Sequence, residues 1–154
     1  MWRRTGRDEV SALSLMLSQG IELMKIGYKK LIEEAEKHID AINIDEVEAL
    51  IGDEGTVIVD IRDIRELQRE GKVPGAIHAP RGMLEFWVDP DSPYHRDVFA
   101  QAKNYVFYCA SAWRSALATH TVKQMGMDNV CHMAGGFSAW KEAEKPIEKL
   151  EARS

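Results

Sequence analysis

From residue 41 onward, the chain alternates short apolar runs with segments that repeat apolar residues at helical spacing. The two clearest runs are TVIVD at 56–60 and NYVFYC at 104–109, both rich in β-branched or aromatic residues. Such runs are typical of strands buried on both faces of a sheet. Strands that alternate with helices predict an α/β fold with a parallel sheet covered by helices on both sides.

Three weaker strands complete the predicted sheet of five. They are INI near residue 42, GAIHAP after a Pro-Gly turn, and NVCHM near residue 131. Two predicted capping boxes, Asp45 with Glu48 and Asp63 with Glu66, mark helix starts between them. The pattern therefore predicts a rhythm of strand and helix over residues 41–150, with 151–154 as a short tail.

The first 40 residues are predicted to be an extension with one helix. Apolar residues recur at helical spacing from Ile21 to Ile39, whereas residues 1–23 are weakly patterned and are expected to be mobile. Met24 is an alternative start of the chain. Asp8 and Glu9 interrupt the basic N-terminus, so no secretory signal is expected.

Composition excludes several classes of function. The net charge of −5 gives no support to nucleic-acid binding, and no apolar run approaches the length of about 18 residues that a membrane span needs. Two cysteines are too few for a disulfide framework, and their spacing suits no metal site. We therefore expect a cytoplasmic protein without metal or cofactor.

The most informative stretch is CASAWRS at 109–115, which follows a predicted strand and opens a predicted helix. Ligands bind beyond the carboxyl ends of strands in open α/β sheets. The unpaired N–H groups and the dipole of the new helix favour an anion there, and therefore a thiolate at Cys109. Arg114 adds a fixed positive charge.

The residues between the thiol and the guanidinium leave the centre of this loop open. Ala110, Ser111 and Ala112 are small, and Trp113 is expected to cover the rim. Ser115 can cap the turn or donate to the sulfur. These are the parts of an activated nucleophile in an anion-binding loop, whereas Cys131 lies within an apolar strand and is interpreted as structural.

With these motifs in view, the sequence resembles the single-domain form of the rhodanese (thiosulfate sulfurtransferase) family. The resemblance rests on VIVDIRDIRE, GKVPGAIHAP, CASAWRS and VCHMAGGFSAWKEA, which cover about residues 41–146 in the family's order. It implies a three-layer α/β fold. It also implies that Cys109 carries a sulfane sulfur as a persulfide, and it assigns the family's arginine and serine to Arg114 and Ser115.

The implied reaction moves sulfur from a donor such as thiosulfate or a persulfide to cyanide, a small thiol or a protein acceptor. Two residues depart from the family pattern: Lys72 replaces a histidine, and Ala112 replaces a glycine. If the backbone at Ala112 needs a positive φ, alanine costs about 1 kcal/mol there.

Four further residues are candidates for the surroundings of the loop. Asp60 and Arg62 match the family's D-x-R motif and serve either as a local structural pair or as support for the loop. Arg81 follows a strand end and is expected to meet an anionic donor. Trp87 lies in an apolar segment, 81–103, which either packs over the sheet end or forms a wall of the substrate pocket.

Other functions are compatible with the same residues. One alternative is a persulfide carrier or a partner-binding sensor without turnover of its own. Phosphatases and arsenate reductases of this fold use C-x5-R, whereas Cys109 and Arg114 are separated by four residues. The shorter loop favours a single sulfur over a tetrahedral anion.

Overall fold

The computed structural model describes residues 14–15 and 24–151. Most of the segment predicted to be mobile, 1–23, and the tail at 152–154 lie outside the described residues. The chain divides into two compact units, residues 1–31 and residues 32–154. The second unit contains the sheet and every candidate site residue.

The sheet has five parallel strands, as the alternating pattern predicts. Their order in space is β1-β5-β4-β2-β3, so the two long apolar strands occupy central positions. The strands are β1 (Ala41–Ile42), β2 (Thr56–Asp60), β3 (Ile77–His78), β4 (Asn104–Tyr108) and β5 (Val130–Met133).

Among the described residues, one helix precedes β1 in the chain, and the others lie between or after the strands. They are α1 (Tyr28–Glu36), α2 (Ile44–Ala49), α3 (Ile64–Glu70), α4 (Leu84–Val88), α5 (Trp113–Gln124) and α6 (Gly136–Glu142). Two 3-10 turns, Arg81–Met83 and Asp97–Ala100, flank α4. The predicted apolar segment after β3 is thus partly helical, and its residues Leu84, Val88 and Phe99 belong to the core.

Two apolar clusters cover the two faces of the sheet. Residues alternate between faces along a strand, so Val57 and Val59 enter one cluster while Ile58 enters the other. The first cluster packs α4 and α5 against the sheet, and the second packs α2 and α6. Cys109 belongs to the first cluster, directly after the end of β4.

One predicted capping box is present and the other is wrong. Asp63 caps α3, and the Glu66 carboxylate accepts a hydrogen bond from the Asp63 N–H. At α2, however, the cap is Asn43 and its partner is Glu46, not Asp45 and Glu48. The reason is that β1 ends at Ile42, so the helix starts earlier and Asp45 lies in its first turn.

Candidate active site

The loop that carries Cys109 lies at the carboxyl end of β4. Helix α5 begins at Trp113, so four residues separate the last strand residue from the helix. Ala112 is the N-cap, with φ +69° and ψ +4° in the left-handed region. Ala112 therefore has the positive φ at which alanine is strained, and glycine would adopt this conformation at lower cost.

The sulfur of Cys109 is fully buried and contacts Ser115 twice. The Ser115 N–H donates to Sγ with 3.3 Å between nitrogen and sulfur, and the Ser115 hydroxyl oxygen lies 3.6 Å from Sγ. The N–H belongs to the first turn of α5, where helical N–H groups have no intrahelical partner. A negative sulfur at this position would therefore satisfy a donor that the helix leaves free.

The start of α6 holds the loop from the other side. The N–H groups of Phe137 and Ser138 donate to the carbonyl oxygens of Cys109 and Ala110, at 2.8 and 3.0 Å. Gly136 has φ +62°, and a Cβ on it would lie only 2.8 Å from the Cys109 oxygen. Glycine at position 136, the first residue of α6, is thus required for the close approach of helix and loop.

Arg114 forms a two-pronged ion pair with Glu66 of α3. Its two terminal nitrogens lie 2.8 and 3.1 Å from the Glu66 carboxylate oxygens. Hydrogen bonding to Arg114 lowers the pKa of Glu66, and the same bond, together with the nearby Cys109, raises the pKa of Arg114. Glu66 and Arg114 are 48 positions apart in the chain, so no local sequence pattern indicates that they form a pair.

Asp60 and Arg62 form a buried network below the loop. Arg62 donates to both Asp60 oxygens, to Glu70 and to the Gly71 carbonyl, and its guanidinium lies 4.2 Å from the Phe137 ring centroid. Burial alone would lower the pKa of Arg62, but the bonds to Asp60 outweigh it and raise that pKa.

Tyr108, the last residue of β4, joins the same network. Its hydroxyl donates to Asp60 at 2.5 Å and accepts from the Val73 N–H at 3.0 Å. Burial, followed by the charge of Asp60, raises the pKa of Tyr108, so its hydroxyl stays protonated. The network therefore fixes the residue directly before Cys109.

His132 also lies at the site, although no sequence motif points to it. Its Nδ1 is 2.9 Å from the Ser115 hydroxyl oxygen, and burial lowers the pKa of its imidazole. The signal is one of strand register: His132 pairs with Phe107, two residues before Cys109. That register depends on the sheet order, which the pattern of strands does not specify.

The candidate rim residues have local partners. Arg81 forms an ion pair with Glu85, one turn later, with 2.7 Å between nitrogen and oxygen. Trp87 packs against the first core cluster and carries Arg96 over its ring at 4.0 Å. Trp113 is 51% exposed at the start of α5. Their roles toward a substrate stay predictions.

The second cysteine, Cys131, lies within a strand and not in the loop. It is half-buried in β5, and burial raises the pKa of its thiol to about 11, so the thiolate is disfavoured.

In the part of the chain that the structure describes, no cluster of three or more histidine, cysteine or acidic side chains could hold a metal. None of the described helices has the length and apolar character needed to cross a membrane.

Comparison with known proteins points to one family. Residues 43–143 match the model of the rhodanese-like domain. The mouse thiosulfate sulfurtransferase/rhodanese-like domain-containing protein 3 is 27% identical over 112 residues, which are 70% of this chain and 71% of that protein.

Two other relatives have different descriptions. The tRNA uridine(34) hydroxylase of Brucella ovis is 38% identical over 104 residues, which are 66% of this chain but only 32% of that protein. The chain thus spans about a third of the hydroxylase. A solved structure from Rhodopseudomonas palustris, a protein of unknown function described as a possible tyrosine phosphatase, is 46% identical with a TM-score of 0.79, covering 82% of this chain and 98% of that one.

Proposed function

Since the chain belongs to the family of rhodanese-like domains, we propose that it transfers a sulfane sulfur from a donor to an acceptor through a persulfide on Cys109. Family membership and the sulfurtransferase relatives support the general activity. The observation that carries the proposal is the position of the Cys109 sulfur against the Ser115 N–H at the start of α5. Such a donor stabilises a negative sulfur more than a neutral one.

The first half-reaction loads Cys109. Its thiolate attacks the outer sulfur of thiosulfate, an S–S bond forms to Cys109, and the bond to the sulfonate sulfur breaks as sulfite leaves with the electron pair. Arg114, which is 41% exposed in its side chain, is the cationic group beside the loop that meets the anionic donor.

The second half-reaction unloads it. A thiolate or cyanide attacks the outer sulfur of the persulfide, and the Cys109 sulfur leaves as a thiolate. The proposed acceptors are a small thiol or a thiol on a partner protein. No proton, metal or redox partner is needed for the balance of either step.

Intact-mass measurement tests the proposal directly. Wild-type protein exposed to thiosulfate should gain one sulfur and lose it on addition of cyanide, and Cys109→Ser should do neither. Cys131→Ser is the matched control and should keep most of the activity, because it removes the other thiol without touching the loop. Sulfur transfer by Cys109→Ser at the wild-type rate would rule out the mechanism.

The same measurement separates turnover from carriage. A persulfide carrier would also load Cys109, but it would release sulfur only to a partner protein. Rapid return of the loaded protein to its original mass with cyanide or a small thiol supports an enzyme. A persulfide that persists with both acceptors supports the carrier.

A phosphatase is the second candidate, because the Rhodopseudomonas relative is described as a possible tyrosine phosphatase. The four-residue spacer between Cys109 and Arg114 disfavours it, since donors drawn to hydrogen-bond distance around a single sulfur, as the Ser115 N–H is at 3.3 Å, leave little room for a tetrahedral phosphate. Wild-type protein should therefore not hydrolyse an aryl phosphate. Insertion of one glycine between Ala112 and Trp113 should weaken sulfur transfer and permit slow hydrolysis. Cys109-dependent hydrolysis by the wild type, as fast as sulfur transfer, would establish the phosphatase instead.

A further inference from the structure

His132 forms a hydrogen bond to the residue that contacts the Cys109 sulfur. Its Nδ1 lies 2.9 Å from the Ser115 Oγ, and that oxygen lies 3.6 Å from Cys109 Sγ. Cys109 and Ser115 are fully buried, and His132 is 3% exposed. A continuous sulfur–hydroxyl–imidazole chain therefore joins the end of β4, the first turn of α5 and strand β5.

The direction of the Ser115 hydroxyl proton decides what this chain does. The backbone N–H of Ser115 is fixed on the sulfur, but the hydroxyl rotates and has only one proton to give. If His132 accepts that proton, the Ser115 oxygen faces the sulfur with a lone pair and repels a thiolate. If His132 donates from Nδ1, the hydroxyl proton is directed to the sulfur.

A negative sulfur at Cys109 selects the second arrangement, because a thiolate accepts hydrogen bonds and is repelled by a lone pair of the Ser115 oxygen. Burial lowers the pKa of His132, so the ring carries one proton, and that proton can sit on Nδ1. Arg114, paired with Glu66, supplies the positive charge near Cys109. The core cluster around Cys109 is otherwise apolar, which strengthens each remaining hydrogen bond to the sulfur.

We propose that His132 is a positioning residue that donates to Ser115 and thereby directs the Ser115 hydroxyl proton onto the Cys109 thiolate. The inference rests on the proposed sulfur transfer for its purpose, since the same thiolate attacks in the first half-reaction and leaves in the second. His132 does not touch the transferred sulfur. It acts through the single rotatable donor that does.

The test compares two substitutions of nearly equal shape. His132→Leu removes the hydrogen bond, whereas His132→Asn offers an amide close to the position of Nδ1. The rates of persulfide formation with thiosulfate and of sulfur release to cyanide are measured by intact mass. We expect His132→Leu to be slower by about tenfold in both steps, because the Ser115 hydroxyl is no longer held with its proton on the charged sulfur. His132→Asn should recover most of the rate, and Cys131→Ser, in the same strand, should match the wild type.

Combination with Ser115→Ala separates positioning through the hydroxyl from a general packing role. In the Ser115→Ala background, His132→Leu should cause no further loss, since the group through which it acts is gone. An additive loss in the double variant, or full activity of His132→Leu, would overturn the inference. Failure of His132→Asn to recover activity would also overturn it, because shape and not hydrogen bonding would then matter.

A second readout keeps this inference separate from the proposed function. Alkylation of Cys109 by iodoacetamide needs the thiolate but no sulfur donor, and peptide mapping distinguishes Cys109 from Cys131. The same order of rates is expected: wild type, then His132→Asn, then His132→Leu equal to Ser115→Ala. If the wild type forms no persulfide and yet this order holds, sulfur transfer fails and the role of His132 stands. If persulfide forms and the order is absent, the role of His132 fails alone.

Discussion

Two arginines near the loop pair with glutamates on the same helix, yet they differ in almost every other way. Arg62 is completely buried and bonds to Asp60, Glu70 and a backbone carbonyl, with an aromatic ring against its guanidinium. Arg114 has one acidic partner, Glu66, and keeps 41% of its side chain exposed. All three guanidinium nitrogens of Arg62 donate to partners inside the protein, whereas the Arg114 guanidinium is held by one carboxylate and stays partly exposed.

This difference in burial and bonding suggests a structural role for Arg62 and a substrate-binding role for Arg114. A fully buried arginine whose three guanidinium nitrogens already bond to protein groups is closed to an incoming anion, so Arg62 is expected to hold β2, β4 and α6 together. An arginine held by one carboxylate at the edge of a nucleophile loop can share its charge with a substrate. Substitutions of the two arginines and their surroundings should therefore affect stability and activity differently.

The largest effect is expected from Arg62→Ala. The substitution leaves the Asp60 carboxylate buried without its charge partner, which typically costs about 3–5 kcal/mol. Urea unfolding should report this loss in the free energy of unfolding. Arg65→Ala is the control, since its pair with Asp63 is exposed to solvent and should contribute little to stability. A loss for Arg62→Ala as small as that of the control would contradict the structural role.

Arg114→Lys is expected to lower activity strongly and stability only slightly. Lysine keeps the charge but not the fork of donors, so kcat/KM for thiosulfate–cyanide transfer should fall about 100-fold. The free energy of unfolding should change by only about 1 kcal/mol, because the pair with Glu66 is partly exposed and screened. Loss of stability on the scale of Arg62→Ala, with activity retained, would erase the distinction.

Glu66→Gln tests the pair from its acidic side and through pH. The folded-state pKa of Glu66 is lowered from 4.5, so its contribution to stability is complete above that pH and is lost as pH falls through the lowered value. We expect the variant to be less stable than the wild type by about 1 kcal/mol at neutral pH. The difference should shrink as the solution is acidified below pH 4.5. Urea unfolding across this range measures it, and a difference that grows in acid would show the opposite sign.

The smallest effect is expected from Ala112→Gly, which alters the loop but neither arginine. Glycine adopts the observed φ of +69° without strain, so the variant should be more stable by about 0.5–1 kcal/mol. Thermal and urea unfolding report the gain. A loss of stability would show that the methyl group of Ala112 makes a favourable contact that outweighs its backbone strain.

The fold and the position of Cys109 between a strand and a helix could be predicted from the sequence because their signals are local. The runs at 56–60 and 104–109 predict the two inner strands, and Asp63 with Glu66 predicts the start of α3, as observed. The error at α2 has the same scale: two polar residues, Asn43 and Asp45, compete for one cap. Only the end of the short strand before them decides the outcome.

The partners of the site residues could not be predicted, because they depend on which strands and helices lie side by side. Glu66 was recognised as a capping residue, yet its second contact is to Arg114 on another helix. His132 reaches Ser115 only because β5 lies next to β4 in the sheet. Periodicity and caps contain no information about such neighbours.

The close approach of α6 to the Cys109 loop also has a consequence in time. The two N–H groups that hold the loop carbonyls belong to Phe137 and Ser138, which are translated after the loop itself. A ribosome-bound chain that ends before them therefore contains Cys109 but not the complete support of its loop. We expect the thiol to acquire its final environment only when α6 has left the ribosome.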